Sequence, residues 1–559
     1  MTYEHDIPEY AMLPAREPKE RVIVPAGKGT VYSQVQVTNI KEKPKTTIII
    51  EEDILVPDTK PDLRQILMID GSASLSSREL SPMQRKDDYI SISGEIELQT
   101  LYQPENPEHA GQVIAVQTRV AFQEQWHMEA EPASTIFMDC QVEKIEHMVI
   151  NERKYRIKAV LALRAREHSD VQLEVFEGIT GEDIQMLKET VEIANLSQRK
   201  KDVFSIDEEI EVKDEKIPES ILKQDIHVVE NYKQITNEKI VLNGFIYVNL
   251  LYTVQTQEEE RMADTIRQQQ EKVEFTQFIP IQMDQLAGGS EITFDGSGLK
   301  VRIGVGEDEE LKLRLEGEII TYVDLYTNNK QEIVLDAYHK EKDFICDYQE
   351  KEGRMLVGAA MSETSVREIL APENLSCDID RILYVCGSAG EYESHAEPGK
   401  IITEGYILVK MLYVGCKKEQ DTEEKACEEI FCAISNVPFR IVTAMPQLTG
   451  NEIVCDKVEI KELWADKING RQIECNVTVL VISEVMRPVP FKLLSNPAFE
   501  ESGEKKQEYG IVIYVTKEND SIWSIAKHFK TDRENVIQMN DLDHESQEIC
   551  TGTKLLIMK

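Results

Sequence analysis

The chain reads as a mainly β protein: three tandem antiparallel β-sandwich-like repeats followed by a small βααβ module. Three observations predict this. Apolar and polar residues alternate over many short stretches, the period of a half-buried strand. One motif recurs three times at domain-length intervals. Over residues 509–559 the pattern changes to helical spacing between two short apolar segments.

The recurring motif is Gly-x-Ile-x-(Leu/Val)-x-x-Leu-Tyr, at Gly94–Tyr102, Gly244–Tyr252 and Gly405–Tyr413. Its copies begin 150 and then 161 residues apart, too far for a solenoid and right for tandem domains. An Ile-Leu pair precedes each copy: Ile66-Leu67, Ile221-Leu222 and Ile382-Leu383. An alternating segment follows each, at 155–163, 311–319 and 471–479. In the second, Leu311, Leu313 and Leu315 should face a core while Lys312, Arg314 and Glu316 face water. The opposite register would bury three charges at several kcal/mol each. Residues 184–196 could form a short helix, but the pairs Ile184/Met186 and Val191/Ile193 favour strands.

The expected division is a Pro- and charge-rich arm over 1–40 and repeats at 41–183, 184–335 and 336–496. A polar linker over 497–508 should then let the terminal module, 509–559, swing freely. The repeated Gly residues suggest a bulge or a close backbone approach. The repeated Tyr residues should pack with their hydroxyls in water. Trp126 and Trp464 lie in strand-like stretches and are expected in the core or partly buried, with a binding patch as the alternative.

Composition narrows the function. With 102 acidic against 63 basic residues the net charge is −39, which excludes the basic footprint of a nucleic-acid binder. It also opposes docking on anionic lipid by charge. The first residues carry neither the basic nor the apolar stretch of a signal peptide, so a cytoplasmic location is expected. None of the ten cysteines forms a C-x-x-C pair, and they read as small apolar residues in a reducing compartment. No apolar run is long enough to span a membrane as a helix.

The chain carries no H-E-x-x-H, G-x-S-x-G or G-x-x-x-x-G-K-(S/T) signature, so no catalytic residue, metal or cofactor is expected, and the protein is read as a non-enzyme. Gly304-Val-Gly306 precedes four acids that would repel a pyrophosphate, and it reads as a turn between strands. Residues 71–74 and 295–298 read as turns by the same logic. His339 and His395 are expected at the surface.

In the terminal module Ile511–Val515 is a strand, and Ile522, Ile525, Ala526 and Phe529 recur at helical spacing. Asp520 is the expected helix cap. Val536, Ile537 and Met539 mark a second helix ending near Asn540, and Gly552–Ile557 closes as a strand. Tyr514, the run Asn519–Ala526, Asn540 and Ile549–Ile557 make this stretch resemble a LysM domain. That family more often has Gly where Asn519 stands and Pro where Thr551 stands; Asn tolerates the left-handed backbone such a turn needs. The resemblance implies a groove for N-acetylglucosamine-containing glycan between residues 517–521 and 541–549. Lys517, Asn519, Asp520, Ser521, Trp523, Leu542 and His544 are the candidate contacts, with Trp523 pointing away from the centre of the buried face.

Three β repeats followed by LysM resemble the SPOCS-domain proteins of spore-forming Firmicutes. The likeness rests on the three motif copies, the Ile-Leu pairs and the terminal module, and it covers residues 41–559. It implies a mother-cell scaffold at the forespore surface that helps the coat encase the forespore. Its implied partners are the coat basal-layer ATPase SpoIVA, gripped by LysM, and other coat proteins. The alternative is a LysM that reads peptidoglycan or its lipid-linked precursor. A chain in the cytoplasm meets the precursor's sugars before mature wall.

Overall fold

The structure, a computed structural model, describes residues 23–25, 29–81, 89–105, 112–214, 216–255, 262–283, 287–305, 311–373, 375–416, 428–500, 510–542 and 549–558. Each of three repeats pairs a three-stranded meander with a sheet built on one long strand. The meanders are 63–75/89–104/114–127, 218–235/239–254/266–280 and 379–397/400–416/428–444. The long strands are Lys154–Ile179, Leu311–His339 and Ile473–Glu500. Each is flanked along most of its length by the strand or strands that open its repeat, at 30–55, 184–210 and 343–370.

Part of the arm expected over 1–40 is strand, laid along the first repeat. Thr30–Glu42 is a strand paired with Lys154–Ile179, from Thr30 opposite Ile179 to Glu42 opposite Arg166. Ile23–Pro25 pairs with Pro25 opposite Ala498, on the last strand of the third repeat. Residues 184–196 lie within one long strand. Residues 71–74 also lie inside a strand, Leu63–Leu75, where a turn was expected. Residues 295–298 do turn, with Asp295 accepting from the Ser297 amide at 3.1 Å. Residues 306–310 fall outside the described residues.

The Ile-Leu pairs explain how one strand serves two cores. In every repeat the ladder shifts register at this pair, between Ile66 and Met68, Ile221 and Lys223, and Ile382 and Tyr384. The extra residue breaks period-two alternation, so neighbouring apolar side chains face opposite sides. Ile66, Ile221 and Ile382 pack into the sandwich of their own repeat. Leu67, Leu222 and Leu383 pack into a separate core shared by all three repeats. The Gly motif divides the same way. Ile96, Leu98 and Tyr102 face one sandwich while Leu101 faces the shared core, and Leu251 and Leu412 repeat that placement.

Hydrogen bonds run around this shared core in a ring. Gln99 donates to the carbonyl of Gln224 at 3.0 Å, Asn249 to that of Val385 at 3.0 Å, and Lys410 to that of Ile69 at 3.1 Å. These donors occupy matching positions in the three motifs, as do the acceptors beside the three bulges. The repeats thus close into a pseudo-threefold ring. Beyond the sandwiches, the ends of the long strands and of the strands flanking them pack together through Val37, Leu173, Val191, Ile193, Ile333 and Phe491.

Inside the ring lies an ion cluster drawn from all three repeats. Lys223, 1% exposed, pairs with Asp225 and, at 3.2 Å, with Asp70; Asp70 also pairs with Lys410. Tyr384 donates its hydroxyl proton to Asp225 at 2.5 Å. Burial alone would raise the Asp70 carboxyl, but Lys223 and Lys410 outweigh it and hold it below its ordinary value. Burial likewise opposes the Lys223 charge, and Asp225 and Asp70 raise its pKa regardless.

Other expectations change once packing is considered. The repeated Tyr hydroxyls are not wet. Tyr102 donates to the Pro61 carbonyl at 2.6 Å, Tyr252 to Gln269 at 3.3 Å, and Tyr413 accepts from the Ser376 amide at 3.1 Å. Gly94 and Gly244 do mark close approach: a Cβ there would sit 2.6 Å from the ring of Phe122 and of Phe275 on the next strand. Trp126 is buried, but Trp464 is 47% exposed on an outer sheet. Leu313 and Leu315 are fully buried, whereas Leu311 opens the strand at 37% exposure. His339 is buried, with its ring 3.0 Å from Glu182 and accepting from the amides of Glu341 and Lys342. Cys140, Cys377, Cys386 and Cys475 are free thiols within the cores.

Lys223 occupies the position filled by Met68 and Tyr384 in the other repeats. Lys223→Met should therefore fit sterically yet leave Asp225 without its cation, at a cost of about 3 kcal/mol. Urea unfolding should give a lower midpoint at unchanged slope; an unchanged midpoint would mean the ion cluster contributes nothing to closure.

Candidate functional site

The terminal module is a two-stranded antiparallel sheet, Ile511–Val515 with Lys554–Met558, covered on one side by two helices. These are α1, Ile522–Phe529, and α2, Arg533–Met539. Ile522, Ile525, Ala526, Val536, Ile537, Leu555 and Ile557 are buried. So small a unit has few such side chains, and each counts heavily. The outer sheet face leaves Ile511, Ile513, Val515 and Met558 exposed.

The cap of α1 is Ser521, not Asp520. The Ser521 hydroxyl accepts from the Ser524 amide at 3.0 Å, and the Ser524 hydroxyl accepts from the Ser521 amide at 2.9 Å. This reciprocal pair is a capping box with Ser in the place usually held by Glu. Asp520 acts one step earlier. Its carboxylate accepts from the Lys517 amide at 2.7 Å and from the Tyr514 hydroxyl at 2.8 Å, closing the first rim loop. Those two bonds hold its pKa below the ordinary carboxylate value. Asn519 takes the left-handed backbone expected of it, at φ 67°.

The two rim loops are tied at their base. Thr516 donates through its hydroxyl to the Cys550 carbonyl at 2.7 Å and accepts from the Thr553 amide at 2.9 Å. Asn540 joins α2 to the last strand, donating to the Val536 and Leu556 carbonyls and accepting from the Leu556 amide at 2.6 Å. Lys517 and Asn519 are exposed on the rim, Asp520 and Ser521 are half-buried beside them, and Leu542 is half-buried at the start of the second loop. His544 lies outside the described residues.

Trp523 leaves this group. It is 9% exposed because it packs against the second repeat, with its ring 5.0 Å from that of Tyr338 at 61°. Its indole N–H donates to Asp336 at 2.8 Å. The module is therefore docked, where free swinging was expected. The strand of the third repeat also runs on to Glu500, through the first residues of the anticipated linker. The docking residues Asp336, Tyr338, Lys340 and Asp343 escaped sequence reasoning. They sit at the join of two repeats, with no motif or periodicity to set them apart.

The family model described as SipL, SPOCS domain, matches residues 62–150 and 218–295, and that of the LysM domain matches 514–557. The chain is SipL-like, with SPOCS segments and a LysM domain. No curated protein and no solved structure matches it. Each SPOCS match spans a meander and the strand after it, and stops short of the long strands that complete the sandwich. These domains fit a sporulation coat-related protein with a peptidoglycan-binding-type module, and both are of non-catalytic binding or scaffold type. Among the described residues no helix is long and apolar enough to cross a membrane, and no group of three or more His, Cys, Asp or Glu could hold a metal ion.

Ser521→Ala removes the α1 cap and should cost the module about 1 kcal/mol, visible as earlier melting of the α-helical signal. The Asp520 contribution runs with pH in a defined sense. Its depressed folded pKa means the stabilisation is complete above its unfolded value, roughly 3.9. It is lost as pH falls through the folded value, and Asp520→Asn should flatten that acid loss in a pH series of melts.

Proposed function

We propose that the protein is a non-enzymatic spore-coat morphogenetic scaffold. Its LysM domain docks on the coat basal-layer ATPase SpoIVA, and its ring of repeats offers surface to other coat proteins in the mother cell. Residues 343–500 serve as a third SPOCS unit, since their meander repeats the bulge and motif placement of the two matched ones. The observation that carries the reading is the pairing of SPOCS segments with a LysM domain whose helical face is anchored while Lys517 and Asn519 stay exposed. A hook seated on a larger body suits a polymeric layer, where weak contacts gain from effective concentration. The contacts assigned to the partner are Lys517, Asn519, Asp520, Ser521, Leu542 and His544.

The LysM match also supports a second reading, in which the same rim takes N-acetylglucosamine-containing glycan of peptidoglycan or its lipid-linked precursor. Calorimetric titration of the full chain with purified SpoIVA and with chitooligosaccharides separates the two. The scaffold reading expects ATPase binding that weakens at least about tenfold in Lys517→Glu, with no measurable heat from the sugars. Micromolar sugar binding without ATPase binding would replace it with the glycan reading.

A further inference from the structure

The contact between LysM and the join of the second and third repeats has the chemistry of a latch. Trp523 follows Ile522 in α1, so in a free LysM it would project from the helix into water. Here it is buried on Tyr338, with Leu187 beside it. Asp336 receives four donors: the Trp523 indole at 2.8 Å, the Lys527 ammonium at 2.7 Å to each oxygen, the Tyr348 hydroxyl at 3.0 Å and the Ala337 amide at 2.9 Å. Tyr338 donates to the Thr531 carbonyl at 2.6 Å. Around this centre the charges are complementary. Lys530 pairs with Asp343, and Lys340 bridges Asp532 at 2.5 Å and Asp183 at 2.7 Å.

A buried aromatic whose N–H meets a carboxylate is the kind of anchor that dominates small interfaces. Exposed ion pairs around it contribute little each and weaken with salt. One anchor in a polar, charged rim makes a contact that holds at low cost and opens readily.

We propose that the LysM module is held at the join of the second and third repeats by a releasable latch, with Trp523 on Asp336 and Tyr338 as its anchor and Lys530–Asp343 as its charge guide. The latch sets the direction in which the rim loops face. Trp523 is thereby a positioning residue, and its substitution acts by freeing the module. This stands independently of what the rim binds.

Replacing Trp126 and Trp464 with Phe leaves Trp523 as the sole tryptophan of the full chain. Acrylamide should then quench it weakly. Asp343→Lys or Lys530→Asp should each raise the released fraction about fivefold, with stronger quenching and red-shifted emission. The double reversal should restore the parent signal. Raising salt from 0.1 to 1 M, which shortens the Debye length from about 10 to 3 Å, should act in the direction of the single reversals. Solution scattering of the otherwise unaltered chain gives a second reading that does not depend on the Phe replacements: Asp336→Asn should lengthen the maximum dimension. A parent Trp523 quenched as freely as an exposed indole, a double reversal that fails to restore, or an unchanged dimension in Asp336→Asn would each overturn the latch.

Discussion

One extra residue in the first meander strand of each repeat makes the ring possible. A regular strand shows one face to a core and the other to water. The bulge at Ile66-Leu67 and its two counterparts lets adjacent apolar residues turn to opposite sides, so each meander has a sandwich beneath it and the other two repeats above it. The shared core and the ring of hydrogen bonds both follow from that second apolar face.

Three similar faces meeting on an axis would also suit three separate chains. The ion cluster distinguishes the repeats from one another. Where the first repeat places Met68, the second places Lys223 and the third Tyr384; the carboxylates come from Asp70 and Asp225, and Cys386 stands at the third such position. Buried charges are satisfied only when their partners arrive from the right repeats. Covalent order within one chain then agrees with the order the charges require.

The same division between anchored and free surfaces governs the LysM domain. Its hydrophobic core and the tied bases of its rim loops make it a unit, and the face of α1 makes it part of the larger body. Ser521 and Asp520 divide work that sequence reasoning gave to Asp520 alone: the serine caps the helix and the aspartate closes the loop before it. Both are local side-chain oxygens able to accept from a free amide, and sequence offers no way to rank them without the loop's geometry.

Near-neighbour chemistry already specified the alternating strands, the helical faces of Ile522, Ile525 and Ala526, the left-handed turn at Asn519, and the close approaches at Gly94 and Gly244. Each depends on backbone preference or on residues a few positions away. The adjacent Leu-Tyr pair in every motif copy also broke alternation openly, yet nothing beside it named what the leucine would meet. Ring closure, the burial of Lys223, the bonded Tyr102 hydroxyl and the seat of Trp523 on Asp336 belong to the folded whole. Each requires matching surfaces from segments far apart in the chain, and an apolar, charged or aromatic side chain carries no mark of the distant partner that will cover it.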